Sequence, residues 1–479
     1  MHRSARLVRT AVAALCVFTL AAGLTVARLL PRRLALWQPP GVAASRLVGS
    51  AQVLGLADPT SASNRATAAG VARAITPVIS APVFGQRLGV LVTDLASGQV
   101  LYAGNATAGF SPASTTKLAT SIAAIHALGP NARFTTKVIA GPGANSIILV
   151  GGGDPTLAAG PPPATDYPQP ATLSALAKTA ARALKARGRR TVRLGYDTSL
   201  YSGPTLAPGW PAGPINYITT GNVSPITALS VDQGRVTASG APADNEFSNG
   251  LRTVDPAGVA ATAFARFLSA DGITVAGGPT PVTARRGARA LANVESPPLT
   301  QIVQWMLEES NNVIAENLAR HVAIARGQPP TFAGGADAET SVLRGLGASG
   351  VLSLSDGSGL SPLNQISPGT LVQLVRIAAA RPELRPVLTG LPVEGFSGTL
   401  APGGSVFGLG NAPGLGMVRA KTGNLSTVAA LAGTVYSKNG QLLGFAIMAD
   451  RIPKAPGALA AAATAMVNMA SALAGCGCR

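Results

Sequence analysis

Apolar and polar positions alternate in blocks along the chain and define its elements before any chemistry is considered. Leu88-Gly89-Val90-Leu91-Val92 and Val100-Leu101-Tyr102-Ala103, joined by a Ser97-Gly98 turn, predict a β-hairpin. A helix is predicted over 114–128, closed by Gly129-Pro130. Ahead of the hairpin, Ala72, Ile75 and Ile79 fall at helical spacing. Short strands then recur over 135–140, 146–150 and 191–196, with one helix over 171–187. A proline-rich loop over 160–170 and a long irregular stretch over 203–249 complete this block. Longer elements return after 295. Residues 299–325 predict two helical stretches interrupted near Ser310, and 368–381 a helix. Residues 429–435 and 442–450 predict antiparallel strands, and 456–473 an amphipathic closing helix with Pro456 in its first turn, where a missing N–H costs least. The change of texture divides the chain into 61–133, an inserted α/β domain over 134–295, and 296–479. No internal repeat is present.

The N-terminus has a different pattern. Arg3, Arg6 and Arg9 precede an uncharged stretch over 10–27, the layout of an export signal and just long enough to span a bilayer. Residues 1–30 are therefore expected to export the chain, either as a cleaved leader or as a retained membrane anchor. Residues 31–60, rich in Pro, Gly, Ala and Ser, follow as a linker. The net charge of +18 fits attraction to a polyanion or a merely arginine-biased composition. No basic run interleaved with aromatics occurs, so nucleic acid is not an expected partner. Cys476 and Cys478 form a Cys-Gly-Cys at the C-terminus, read as an exposed tail or a local disulfide. With three Cys and three His, no metal and no cofactor are expected.

The chemistry begins at Ser114-Thr115-Thr116-Lys117. A serine three residues before a lysine on the opening turn of a helix places hydroxyl and amine on one face. Histidine offers no easy alternative base. His126 would stand roughly 18 Å along the same helix axis, His2 lies in the leader and His321 in an apolar helix. The reading is a serine nucleophile with a lysine base.

Two further motifs follow in order, Ser310-Asn311-Asn312 at the break between helices and Lys421-Thr422-Gly423 before the apolar run 428–435. Each is weak alone; together and in this order they are the signature of penicillin-recognising serine enzymes. The chain here resembles the class C low-molecular-mass penicillin-binding proteins, a D-alanyl-D-alanine carboxypeptidase/endopeptidase family, from about residue 60 to 470. Pro112-Ala113-Ser114-Thr115-Thr116-Lys117-Leu118 resembles the family's nucleophile segment. Gly151-Gly152-Gly153-Asp154-Pro155-Thr156, Asp356-Gly357-Ser358-Gly359-Leu360-Ser361 and Gly398-Thr399-Leu400 resemble further landmarks. The 193 positions from Lys117 to Ser310 match the subgroup's large insertion.

The resemblance implies an α/β (α+β) penicillin-recognising serine transpeptidase-like fold, an antiparallel sheet flanked by helices with a large inserted second domain. It implies an exported enzyme at the extracytoplasmic face of the envelope, acting on peptidoglycan stem peptides ending in D-Ala-D-Ala and acylated by β-lactams. Ser114 would be the nucleophile and Lys117 a neutral base, its pKa lowered by burial and by Lys421. Ser310 would relay a proton to the leaving amine, and Asn312 would hold the substrate amide and order Lys117. Lys421 and Thr422 would bind the terminal carboxylate. Gly423 would let substrate backbone approach, and the N–H groups of Ser114 and Asn424 would hold the oxyanion. Asp154 would lie near the stem amine, or serve only as a turn residue. Glu316 is read as structural. Pro362 stands where the family often carries a basic residue, and the nested third domain of some members should be reduced or absent. A serine β-lactamase and a non-catalytic wall-binding protein are the competing readings.

Overall fold

The computed structural model describes residues 65–240, 250–285 and 287–478. The expected export segment and linker lie outside the described residues.

One half of the described chain is built on a five-stranded antiparallel sheet, ordered β11-β12-β13-β1-β2. β1 (Leu88–Asp94) and β2 (Val100–Gly104) form the N-terminal hairpin. β11 (Val418–Leu425), β12 (Val428–Tyr436) and β13 (Leu442–Ala449) form a meander that joins it, with β13 pairing β1. β12 and β13 are almost wholly buried because both faces are covered. One face packs α1 (Ala68–Ile79) and α10 (Ala458–Gly475) around Val71, Ile75, Phe445, Met466 and Val467. The other packs α2 (Thr116–Leu128) and α8 (Pro368–Ala380) around Ile122, Leu371, Val375 and Met448. α10 is long and apolar enough to cross a membrane, yet it forms the outer layer of this core. α5 (Leu299–Glu308), α6 (Asn312–Ala325), α7 (Phe332–Gly345), the short α9 (Arg385–Thr389) and the small β9 (Leu352–Ser353) and β10 (Gln365–Ile366) pair complete this half.

The inserted block carries its own six-stranded sheet, ordered β6-β5-β4-β3-β8, with β7 also pairing β5. β3 (Thr135–Ala140) lies antiparallel to β4 (Ser146–Val150) and β8 (Ala290–Glu295). β5 (Thr191–Asp197) runs parallel to β4, β6 (Thr274–Val275) and β7 (Thr280–Pro281). Two helices cover it, α3 (Leu173–Lys185) and α4 (Pro256–Ala270), through Leu176, Leu184, Phe264 and Leu268. Only α3 was expected from sequence. α4 nonetheless opens with a clear start signal. Asp255 caps it by accepting from Gly258 N at 2.9 Å, and Pro256 takes the first turn. Within 203–240 and 250–255 the regular structure is one 3₁₀ turn, Asp232–Gly234, and an isolated Arg235–Arg252 bridge.

The C-terminal Cys-Gly-Cys is not an exposed tail. Cys476 and Cys478 form a disulfide, and Cys478 is buried. Its carbonyl accepts from Thr67 N at 2.6 Å, while Thr67 Oγ1 caps α1 through Gly70 N. The end of the chain thus closes the sheet's helical layer against the start of the described segment.

Candidate active site

Ser114 sits on a tight 3₁₀ turn, Ala113–Thr115, immediately before α2 rather than inside it. Thr115 Oγ1 donates to Pro112 O at 2.7 Å and Thr116 Oγ1 to Ala113 O at 2.8 Å, fixing the turn from within. Ala113 is left-handed, with φ 46°, so the turn is held in a conformation that an alanine rarely adopts. Gly359 (φ 87°) presses on it so closely that a Cβ there would stand 1.8 Å from Ala113 O.

Lys117 lies on the first turn of α2 and is fully buried. Its Nζ reaches Ser114 Oγ at 2.9 Å, Asn312 Oδ1 at 2.7 Å and Ser358 O at 2.7 Å. Burial brings its pKa down to about 7, against the opposing pull of the Asp356 and Glu316 carboxylates. The lysine is therefore half neutral near pH 7. A neutral amine can keep donating to Asn312 and Ser358 while its lone pair accepts the Ser114 hydroxyl proton.

Ser310-Asn311-Asn312 spans the break between α5 and α6. Ser310 is left-handed, with φ 56°, and lines the cleft beside Ser114. Asn311 caps α6 by accepting from Ile314 N at 3.0 Å and donates from Nδ2 to Gln233 Oε1 at 2.8 Å. Asn312 is the first residue of α6, and its Nδ2 donates to Asn222 O at 2.9 Å. The second motif is thereby anchored on the inserted block as well as on Lys117.

Lys421, Thr422, Gly423 and Asn424 lie on β11, the edge strand of the sheet, paired inward with 429–432 of β12. Segment 392–394 covers the outer edge around Arg419, with Glu394 N donating to Val418 O and Ala420 N to Pro392 O. Beyond that the edge faces the turn that carries Ser114. A Cβ at Gly423 would stand 2.7 Å from Pro112 O and 3.0 Å from Ser114 N. The glycine accommodates the turn that carries Ser114, a tighter demand than the expected approach of substrate backbone. Thr422 Oγ1 bonds Thr399 Oγ1 at 2.7 Å, and Lys421 Nζ donates to Thr422 O at 2.9 Å. Lys421 is fully buried; burial and the charge of Lys117 both lower its pKa well below the usual lysine range, with Glu309 opposing. Like-charge repulsion thus acts on Lys421, whereas burial drives the shift at Lys117.

The cleft between these elements has a volume of about 700 Å³, and its lining includes Ser114, Ser310, Asn312 and Asn424. Asp154 is not in that lining. It is buried, with Oδ1 accepting from Thr156 N at 2.8 Å and Thr156 Oγ1 at 2.7 Å, and Oδ2 without a partner. Burial raises its pKa to about 6. Pro362 is exposed. His321 is stacked on Phe134 and bonded to Gly153 O at 3.0 Å, with burial lowering its pKa to about 4.

Several residues of the site carried no motif. Glu316, one turn into α6 from Asn312, is fully buried and accepts from Gly357 N at 3.1 Å and Ser358 N at 2.8 Å. Asp356 accepts four donors: Trp210 Nε1, Ser361 N, Gly359 N and Asn364 Nδ2. The Asp356-Gly357-Ser358-Gly359 string was visible as a landmark, but its task, presenting the Ser358 carbonyl to Lys117, was not. Asn222, Arg235 and Arg252 reach the cleft from the inserted block.

The sequence matches the model of the D-Ala-D-Ala carboxypeptidase 3 (S13) family over residues 71–246 and 239–473. It is 36% identical over 421 residues to the carboxypeptidase DacB of Mycolicibacterium smegmatis, covering 86% of this chain and 85% of that one. A carboxypeptidase of Mycobacterium tuberculosis is 36% identical over 409 residues, covering 83% and 84%. The D-alanyl-D-alanine carboxypeptidase of an Actinomadura species is 30% identical over 424 residues, covering 74% and 76%. In fold, the chain is similar to penicillin-binding protein 4 of Haemophilus influenzae, with a TM-score of 0.66 at 22% identity, covering 82% of this chain and 98% of that one. The chain belongs to the D-Ala-D-Ala carboxypeptidase 3 (S13) family of serine peptidases.

Proposed function

We propose that the chain cleaves the terminal D-Ala-D-Ala bond of peptidoglycan stem peptides through an acyl-enzyme on Ser114, and that penicillins acylate the same oxygen. One observation supports this above all. Lys117 Nζ lies 2.9 Å from Ser114 Oγ, buried deeply enough to be half neutral near pH 7. As Ser114 Oγ attacks the amide carbon, its proton passes to Lys117 Nζ. The oxyanion that forms is held by the N–H groups of Ser114 and Asn424. Collapse breaks the C–N bond, and Ser310 delivers the proton from Lys117 to the departing amine. Water then hydrolyses the ester by the reverse proton path. Asn312 keeps Lys117 aimed and holds the substrate amide, while Lys421 and Thr422 bind the terminal carboxylate. Asn424, on the edge strand β11, lines the cleft, so an extended peptide there would lie beside that strand. Peptidoglycan as substrate places the enzyme outside the cytoplasmic membrane, brought there by residues 1–30 as leader or anchor.

A fluorescent penicillin tests the reading. Stable labelling that is lost in Ser114→Ala is the expected result. Rapid turnover of the drug would make the chain a β-lactamase instead, and no labelling of folded protein would overturn both. Release of D-alanine from a stem peptide, against cleavage of a cross-linked dimer, separates carboxypeptidase from endopeptidase action.

A further inference from the structure

Three carboxyl groups lie buried behind Lys117. Two of them, Asp356 and Glu316, hold the loop whose Ser358 carbonyl accepts from Lys117 Nζ. The third, Glu339, comes from α7 and is fully buried. α7 lies so close to α6 that a Cβ at Gly335 would stand 3.1 Å from Ala319 O, and Glu339, one turn on, feels the Glu316 charge.

The hydrogen bonds fix its protonation state. Thr120 Oγ1, on α2 one turn beyond Lys117, stands 2.7 Å from Gly357 O and 3.3 Å from Glu339 Oε2. A hydroxyl has one proton to give and a carbonyl can only accept, so the shorter contact takes the Thr120 proton. The longer contact is then a hydrogen bond only if the Glu339 carboxyl carries a proton and donates it to Thr120 Oγ1. Glu339 Oε1 has no partner among the described residues, a place that suits the carbonyl of a neutral acid and not a buried charge. Glu316 differs, because its two oxygens accept from Gly357 N and Ser358 N. Burial raises the pKa of both carboxyls, and within the pair the two N–H donors at Glu316 leave the proton to Glu339. The other charged groups turned toward this cluster are Lys117 from α2, Arg320 from α6 and Asp356 from the loop, while Asp337 and Arg344 of α7 are exposed.

We propose that Glu339 is a positioning residue for the base, a neutral acid at the head of a relay in which it donates to Thr120 Oγ1 and Thr120 donates to Gly357 O. This deepens the proposed function and rests on it. Glu316 holds Gly357 and Ser358 by their N–H groups, the relay holds Gly357 by its carbonyl, and together they keep the Ser358 carbonyl on Lys117 Nζ. An ionised Glu339 would draw the Thr120 proton to itself and strip Gly357 O of its donor.

Proton linkage reads the state of Glu339. A carboxyl protonated in the fold and ionised in the unfolded chain stabilises below its unfolded pKa, and that stability is lost as pH rises toward the folded value. Between about pH 5.5 and 7.5, the folding constant of wild type relative to Glu339→Gln, from urea denaturation, is expected to fall about tenfold per pH unit. Penicillin acylation reads the relay. Thr120→Val is expected to slow it about tenfold and to move its acid limb to lower pH, because Lys117 loses the carbonyl that favours its charged form. Glu339→Met is expected to slow it about threefold or more, and Glu339→Gln, which keeps a donor, to recover most of that loss. In the Thr120→Val background Glu339→Met should cost nothing further, whereas a residue that only filled space would cost the same in both. A flat stability difference, additive losses in the double variant, or a Gln variant no faster than Met overturns the proposal. If a Met variant fails to fold, the linkage slope of Glu339→Gln still decides. Wild type that penicillin does not label at all marks failure of the catalytic reading instead, and the linkage slope is read without it.

Discussion

Glu316 holds Ser358 by its backbone amide, with Oε1 accepting at 2.8 Å. The carbonyl of the same residue accepts from Lys117 Nζ at 2.7 Å, so a carboxylate sits one peptide away from the proposed base. Its second oxygen takes Gly357 N. Glu316→Gln keeps the shape but turns an NH₂ toward one of these two N–H groups. Facing donors in a buried site cost about 1–3 kcal/mol, read as a lowered urea midpoint. The Glu316 charge also supports the protonated form of Lys117. Removing it moves the acid limb of penicillin acylation to lower pH. Unchanged stability together with an unmoved limb would show that Glu316 does not position the base.

The wild-type pH profile follows from the same lysine. Burial holds Lys117 at about 7, and only its neutral form accepts the Ser114 proton. The second-order rate of penicillin acylation should plateau above that value and fall about tenfold per pH unit well below it. A limb near 10, the ordinary lysine range, would rule out a neutral Lys117 as base.

The parts of this site that were legible in the sequence are those made by near neighbours. Ser114 and Lys117 are joined by one turn, and Ser310 to Asn312 by a helix break. Lys421 to Asn424 stand just before the apolar run 428–435, which was plain and forms β12. The hairpin β1–β2 was equally clear, because its pattern is local. Glu316, Ser358 and Asn222 could not be placed, since their contacts arise only when α6, the 356–361 loop and the inserted block meet. Besides the five-residue α9, two longer helices were missed, for different reasons. α7 carries Gly334, Gly335 and Gly345, which weaken any helical signal. α4 had its Asp255-Pro256 start but lay beside a stretch read as irregular. Of the two readings of the C-terminal cysteines, the local disulfide stands and the exposed tail fails, because burial there depends on what packs over it, here α1.

Gly423 should tolerate no side chain. A Cβ 3.0 Å from Ser114 N and 2.7 Å from Pro112 O must push the edge strand and the nucleophile turn apart. A displacement of that order misaligns Oγ and the oxyanion donors together, which typically costs about 10²-fold in rate. Gly423→Ala is expected to slow acylation by about that factor while the thermal transition stays cooperative. Gly160→Ala, where nothing lies within 4 Å of the added carbon, is the matched control. Acylation by Gly423→Ala at the rate of that control would show that the turn and strand are not locked together.

Asp154 gives a stability test with a definite sign. Burial raises its pKa from 3.8 to about 6, with Thr156 opposing through two hydrogen bonds. A carboxyl whose folded value is raised stabilises the fold below its unfolded pKa, and that stability is lost as pH rises through the folded one. The shift corresponds to about 3 kcal/mol. Asp154→Asn removes the term. The stability of wild type minus that of the variant, from urea denaturation, should therefore fall by about 2 kcal/mol between pH 4 and 7, the larger part of the whole. His321 nearby acts in the opposite sense, its pKa lowered by burial to about 4, so its contribution is lost as pH falls. It is common to both proteins and cancels in the difference. A flat difference would mean that Asp154 is solvated or paired in solution. The same variant tests the substrate role implied by resemblance: losing a contact to the stem amine lowers kcat/KM for peptides bearing that amine and leaves those that lack it alone.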